Sequence, residues 1–405
     1  MTSALFIGLM SGTSLDGVDA VLVKISPGTV PTTVDAVLVK ISPGTVPTTA
    51  DGASVKIIPG TTPIPDTITT LAAAFLPFPT ALRQELLALQ MAGHNEIERE
   101  ALAANALARC YAHCVQALLD ETGLKAEAVC AVGVHGQTIR HRPELGFTRQ
   151  TNNPALLAEL CGIDVIADFR SRDIAAGGQG APLVPAFHQA QFGQPGQSRV
   201  VVNIGGISNI SVLHGDGKVS GFDTGPGNVL MDYWIARNLG LEYDADGAWA
   251  ATGHVIPALL STLLAEPYFK LPAPKSTGRD LFHADWLMAR LSHFAGAPAA
   301  DIQATLTSLT AVSIAQAIKH YGPRADAVYV CGGGAYNGAL LRALSDALDG
   351  QASAQSTLVL GVAPNRVEAL AFAWLGYRFT RREAGNLPAV TGARGDRILG
   401  ALYPH

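Results

Sequence analysis

Apolar positions come in short blocks along this chain, and the spacing within each block predicts its structure. ALFIGLMSG (residues 4–12) is an uncharged apolar run ending in glycine, the pattern of a buried strand entering a loop. VDAVLVKI (18–25) alternates apolar and polar positions as a strand does, and SPGTVPTT then supplies proline and glycine turn chemistry. Residues 18–33 recur unchanged as 34–49, and residues 50–65 match the second copy at eight of sixteen positions. Only one copy can pair directly with ALFIGLMSG. The first is favoured, because it needs no extra chain after the GTSLDG loop. Residues 34–65 then form an insertion, either an added hairpin at the sheet edge or a mobile segment, ahead of a third strand in TITTLAAAFLPF (67–78). Unchanged repetition points to recent tandem duplication or an assembly artefact more than to a tuned site.

Helical spacing follows in PTALRQELLALQ (79–90) and from about Glu96 to Glu121. AVCAVGVHGQT (128–138) reads as strand to loop, NPALLAELCG (153–162) as a short helix, and DVIADFRSRD (164–173) as strand to loop. Near residue 197 the logic restarts. SRVVVNIGGISNISVL is strand, glycine turn, strand; GFDTGPGN feeds a helix; a long helix spans 301–322; AVYVCGGGAYN is a strand into a glycine turn; VEALAFAWLGYRF is a helix. Alternating strands and helices imply an α/β protein, and two similar halves, 1–196 and 197–405, imply lobes flanking a ligand cleft.

Composition narrows the function classes. The chain has 405 residues, 48% apolar and 15% charged, which suits two packed cores. A net charge of −5 argues against nucleic acid or an anionic membrane as partner, although backbone amides still bind phosphate. The N-terminus lacks the basic and long apolar regions of a signal peptide, and no apolar stretch is long enough for a membrane helix. The five cysteines show no zinc-ligand pairing, and Cys110 and Cys114, one helical turn apart, read as buried small apolar groups. The expected location is the reducing cytoplasm.

Three loops join glycine to hydroxyl or amide residues after a strand: MSGTSLDG (10–17), IGGISN (204–209) and CGGGAYN (331–337). Glycine lets backbone N–H groups converge on an anion. Ser11, Thr13 and Ser14 add hydroxyls. A tight hairpin explains any one of them, but together they suggest a nucleotide gripped from two lobes. No Walker phosphate loop and no G-x-G-x-x-G occurs.

This arrangement resembles the actin, hexokinase and Hsp70 superfamily. Within it, GLMSGTSLDGVDAVLV, GVHGQTIRH, ADFRSRDIAAGGQGAPLVPAFH, NIGGISNIS, GFDTGPGN, PKSTGRD and GNLPAVTGA together resemble the anhydro-N-acetylmuramic acid kinase family, over nearly the whole chain apart from the repeats. The resemblance implies a two-lobed actin-like ATPase (ribonuclease H-like) fold, often a homodimer. It implies ATP-dependent phosphorylation of 1,6-anhydro-N-acetylmuramic acid with opening of the anhydro ring by water, giving N-acetylmuramic acid 6-phosphate, a step of cell-wall recycling. Gly12, Thr13, Ser14, Leu15, Asp16, Gly17, Val18 and Asp19 would form the loop at the ATP phosphates. Gly205 and Gly206 would face them from the second lobe, with Gly332, Gly333 and Gly334 near the nucleoside.

The chemistry needs a base for the attacking water. Asp173 follows a strand and precedes IAAGGQGAP, with Arg170 and Arg172 near enough in sequence to hold it ionised. The resemblance places the family's catalytic aspartate there; the bland alternative is an N-cap. Mg²⁺ takes one or two carboxylates plus phosphates and water, which makes Asp16 or Asp223 a candidate, with Asp19 orienting the loop. His135, Gln137 and Thr138 suit sugar hydroxyls and an acetamido group, though His135 also reads as a core histidine. Arg140 suits the lactyl carboxylate or the surface. Thr151 and Asn152 stand where the family leads one to expect an apolar residue and a glycine, and Asn365 and Arg366 where acidic residues are common. The first departure would touch the sugar pocket; the second is expected on the surface. A kinase of another sugar, a non-catalytic nucleotide switch and a sugar sensor are the rival readings.

Overall fold

The computed structural model describes residues 2–12, 15–28 and 66–405. Its strands are β1 (Ala4–Met10), β2 (Gly17–Ser26), β3 (Thr67–Pro77), β4 (Val129–Val134), β5 (Gln137–Arg142), β6 (Phe147–Thr151), β7 (Val165–Ala167), β8 (Arg199–Ile204), β9 (Ile207–Leu213), β10 (Val219–Pro226), β11 (Ala327–Cys331), β12 (Ala354–Ser356) and β13 (Ala401–Tyr403). They form two main sheets, ordered β13-β7-β4-β1-β2-β3 and β10-β9-β8-β11-β12, and a separate β5–β6 hairpin.

The same topology is built twice. β1, β2 and β3 form an antiparallel meander, and β4 and β7 add on in parallel beyond β1. β8, β9 and β10 repeat the meander, and β11 and β12 add in parallel beside β8. The restart near residue 197 is therefore structural, and the two-lobed α/β expectation holds.

The first repeat copy is β2, antiparallel to β1 from Ala4–Ile25 to Met10–Asp19. Here both faces are apolar, so the strand is interior and not half-exposed, as alternating apolar and polar positions would make it. Val18, Ala20 and Leu22 enter a core with Leu107, Tyr111 and Leu118 of the long helix Glu96–Thr122. Val21, Val23 and Ile25 enter another with Phe372 and Trp374 of the helix Val367–Thr380. Cys110 and Cys114 lie in the first of these cores, as apolar groups do. The second and third copies lie outside the described residues. The chain leaves β2 and returns to β3 at one point, where the Gly28 N–H donates to the Asp66 carboxylate at 2.8 Å.

One boundary departs from expectation. The helix Val367–Thr380 and β13 come from the second half of the chain but pack on the first sheet. A Cβ at Gly8 would lie 1.9 Å from the Ala369 carbonyl oxygen, and one at Gly133 2.1 Å from that of Phe372. Glycine on β1 and β4 thus lets the helix backbone rest directly on the sheet. Val201, Leu213 and Cys331 of the second sheet join the same core, so this helix lies between the sheets and ties the lobes together.

Candidate active site

The turn between β1 and β2 opens at the C-terminal end of β1. Ser11 is buried and hydrogen-bonded to Tyr111 Oη at 2.7 Å and to the Gly136 carbonyl at 3.1 Å, so its hydroxyl anchors the loop and is not offered to a ligand. The Gly12 carbonyl accepts from Leu15 N–H and Gln137 Nε2, both at 3.2 Å. Leu15 has φ 56°, an unusual value for a leucine, held by burial of its side chain in the core. Thr13 and Ser14 lie outside the described residues. Asp16 is exposed; Val18 points into the core; Asp19 faces the helix Val367–Thr380 at its start.

The corresponding turn in the second lobe is tied to its neighbours. Gly205 and Gly206 carbonyls accept N–H groups of Gly227, Asn228 and Val229 at 2.8–3.1 Å, which fixes the start of the helix Val229–Leu239. A Cβ at Gly227 would lie 2.2 Å from the Gly205 carbonyl oxygen, so this turn needs glycine. Gly332 has φ 78°, and a Cβ there would meet Asn203 Oδ1 at 2.4 Å; one at Gly334 would meet Ile204 at 2.4 Å. The late glycine loop therefore packs against the β8–β9 turn. Gly205 and Gly333, whose Cβ positions meet nothing closer than 3.6 Å, are the open members.

Between these turns lies a set of half-buried carboxylates. Burial pushes Asp19 up to about 7, with the Asp16 and Glu368 charges adding and Arg366 opposing. Burial also raises Asp223 to about 7, against the Thr277 N–H and the Arg170 charge. Glu368, at the start of the helix Val367–Thr380, is raised by burial and opposed by Arg170 and an Asn203 Nδ2 hydrogen bond at 3.3 Å. Asp232 is raised to about 7 by burial, with Arg279 opposing. Arg170 is the cation beneath Asp223, Glu368 and Asp173. Its guanidinium donates to the Gly180 carbonyl at 2.7 Å and to His135 Nε2 at 3.0 and 3.1 Å.

Several expected site residues serve as supports. Asp173 is fully buried in the short helix Ser171–Ala175 and is no N-cap. Its carboxylate accepts from Gly180 N, Asn386 Nδ2 and Thr391 Oγ1, each at 2.8 Å. That leaves no solvent-facing oxygen for a water, so the assignment of Asp173 as base is corrected: it holds IAAGGQG against GNLPAVTGA. His135 is buried and neutral, its pKa driven well below normal by burial and then by Arg170. Gln137 is buried with Nε2 on the Gly12 carbonyl of the β1–β2 turn, and Thr138 accepts from Gln150 at 3.1 Å. Arg140 pairs with Glu96 at 2.6 Å and donates to the Ile139 and Leu89 carbonyls, so it is not free for a carboxylate. Thr151 is buried and donates to Glu100. Both side-chain amide atoms of Asn152 are buried, with no hydrogen-bond partner among the described residues. Asn365 is exposed as expected, whereas Arg366 is half-buried and its charge reaches Asp19.

Sequence reasoning missed Glu368 and Arg279. Arg279 stands in PKSTGRD two residues after Thr277. It is solvent-accessible, and no hydrogen bond or ion pair engages it among the described residues; the charges it feels are those of Asp232 and Arg83. The sequence makes Asp223 one of two candidates for Mg²⁺; in the structure the charge acting on its carboxylate is that of Arg170.

The sequence of the whole chain decides the family. The profile of anhydro-N-acetylmuramic acid kinase matches residues 43–405. The chain is 55% identical to the anhydro-N-acetylmuramic acid kinase of Cupriavidus pinatubonensis, covering 98% of each chain, and 54% identical to that of Burkholderia orbicola, covering 99% of this chain and 96% of the relative. The chain belongs to the anhydro-N-acetylmuramic acid kinase family. Among solved structures it is similar to the activator of 2-hydroxyisocaproyl-CoA dehydratase from Clostridium difficile (13% identity, TM-score 0.44, 93% and 96% of the two chains). It is also similar to a ROK hexokinase from Thermus thermophilus (17% identity, TM-score 0.34, 92% and 99%). No helix of the described residues is long and apolar enough to cross a membrane.

Proposed function

We propose that this protein transfers the γ-phosphoryl group of ATP to O6 of 1,6-anhydro-N-acetylmuramic acid while water opens the anhydro ring, with Asp223 as the base. The observation that carries the role of Asp223 is its setting. It is a cleft carboxylate raised to about 7 by burial, and among the described residues only the Thr277 N–H, at 3.0 Å, donates to its carboxylate. A base with a pKa near the working pH combines a populated ionised form with useful proton affinity. In the step, the water oxygen bonds to the anomeric carbon and the C1–O6 bond breaks. O6 takes the phosphoryl group as the bond to the ADP leaving oxygen breaks, and Asp223 takes the water's proton. Arg170 keeps Asp223 ionisable, and the products are N-acetylmuramic acid 6-phosphate and ADP.

The glycine turns of both lobes suit the ATP phosphates, with Gly205 and Gly333 offering open backbone. Asp16 and Asp19 fit Mg²⁺, because Asp19 already bears the repulsion of Asp16 and Glu368, a charge imbalance that a cation relieves. Bound there, Mg²⁺ would neutralise charge on the transferring phosphoryl group. No cluster of three or more ligand-type side chains is gathered among the described residues. Arg279, unpaired at the cleft, takes the role first sought in Arg140: partner of the lactyl carboxylate.

The test is product analysis by mass spectrometry from ATP, Mg²⁺ and the anhydro-sugar in ¹⁸O-water. Label at C1 with phosphate on O6 is expected. Phosphorylated sugar with the anhydro ring intact, or no product at all, would overturn the reading.

A further inference from the structure

Behind β10, a cavity of about 350 Å³ opens between that strand, the segment Phe269–Lys275 and the long helix Ala299–Tyr321. Phe222 and Thr224 line it. They flank Asp223, which is itself not among the lining residues, so this cavity is distinct from the site around that carboxylate.

Its charge is one-sided. Lys270, Lys275 and His320 line it, and no carboxylate does. None of the three forms an ion pair among the described residues. The Lys275 ammonium lies 4.6 Å from the Tyr268 ring centroid and 5.8 Å from that of Phe222, and gives two hydrogen bonds to the Tyr268 and Phe269 carbonyls at 3.0 and 3.2 Å. An ammonium has three protons, so one remains. Lysines without a carboxylate partner on low-dielectric walls focus a field that draws anions, and the His320 ring adds a hydrogen-bonding group. The other walls are the flat rings of Phe269 and Tyr321 with the Gln316 amide, which suit the apolar face and hydroxyls of a ring. The volume is at the small end of ligand pockets, the size of one monosaccharide unit and not of a nucleotide.

The cavity is also wired to the cleft. The Lys275 carbonyl accepts the Asp223 N–H at 3.2 Å, Tyr268 Oη donates to the Asp223 carbonyl at 2.6 Å, and Thr277 N–H donates to the Asp223 carboxylate at 3.0 Å. The segment 268–277 thus lines the cavity and clamps Asp223 from both sides.

We propose that this cavity is an effector site for a small oxyanion on a sugar-sized body, a phosphorylated monosaccharide, and that filling it acts on Asp223 through β10. The coupling rests on Asp223 as the base; the binding does not.

The test uses the full chain at fixed ionic strength. Glucose 6-phosphate, inorganic phosphate and glucose are titrated calorimetrically into wild type and into the Lys270→Gln/His320→Gln double variant, whose changes are both at exposed positions. Saturable binding of glucose 6-phosphate, at least about tenfold weaker in the double variant and not matched by glucose, is expected. Saturating glucose 6-phosphate should change wild-type kcat at least twofold and leave the double variant, with its normal basal kcat, unaffected. Absence of binding, binding equally tight in the double variant, phosphate binding as tightly as the sugar phosphate, or a filled site with unchanged kcat would each overturn the proposal. Calorimetry involves no turnover, so an empty cavity and a mistaken base give different results.

Discussion

The β1–β2 and β8–β9 hairpins hold the same place in two sheets of the same strand order, yet their chemistry differs. The first carries Asp16 and Asp19, and the second carries no carboxylate in its turn. The second lobe instead contributes Asp223 one strand further on, facing Arg170 of the first lobe. Duplicated topology supplies two places for backbone to meet phosphate. In the proposed mechanism divergent side chains divide the work, with metal and phosphate charge on one side and water activation on the other. The closing helix Val367–Thr380 belongs to neither lobe alone and brings Glu368 between them.

The sharpest way to break this comparison is to remove the second lobe's carboxylate. Asp223→Asn is expected to lower kcat by about 10²–10⁴-fold, the usual contribution of a general base, with ATP binding retained by calorimetry. Turnover within a few-fold of wild type would return the base to the first lobe. Next in size is Arg279→Gln. Losing a charged partner of the substrate carboxylate should raise KM for the sugar by roughly ten- to a hundredfold and leave KM for ATP nearly unchanged. A parallel rise in both would show a general disturbance of the cleft.

Asp173→Ala tests the opposite role. It strands three buried donors, each costing about 1–3 kcal/mol, so the Tm should fall by several degrees. Assayed at a temperature where the variant stays folded, kcat should remain within about tenfold; a loss beyond about a hundredfold would restore Asp173 as the base. The smallest effect is expected from deleting residues 34–65. Gly28 and Asp66 already meet, at the far end of β2 from the phosphate loop, and shortening a loop alone changes stability little. Activity should stay within about tenfold, and a folded but inactive deletion would place the repeat in the site.

Much of the architecture was legible because burial has a period. VDAVLVKI carries apolar residues on both of its faces, which makes the first copy an interior strand beside ALFIGLM. The glycine turns were legible as turns because close backbone approach tolerates no Cβ, as at Gly227 and Gly332. Roles were harder to read. Asp173 and Asp223 each stand just ahead of a glycine-rich turn, and sequence does not show which carboxylate is filled with donors and which faces a cleft. Arg140 and Arg279 pose the same problem: an arginine's availability depends on whether a residue far away in the chain, here Glu96, has already claimed it. The return of residues 367–405 to the first sheet was hidden for a related reason, since an apolar helix fits either core equally well by pattern.

The most direct test of the division between lobes is the pH dependence of kcat/KM for wild type and Arg170→Gln. Asp223 must be ionised to accept the proton, so activity should rise with pH along an acidic limb near 7. Arg170 lowers the Asp223 pKa against burial, so removing that cation should move the limb upward. A limb at the ordinary carboxylate range near 4, or one that stays in place when Arg170 is replaced, would contradict Asp223 as the base.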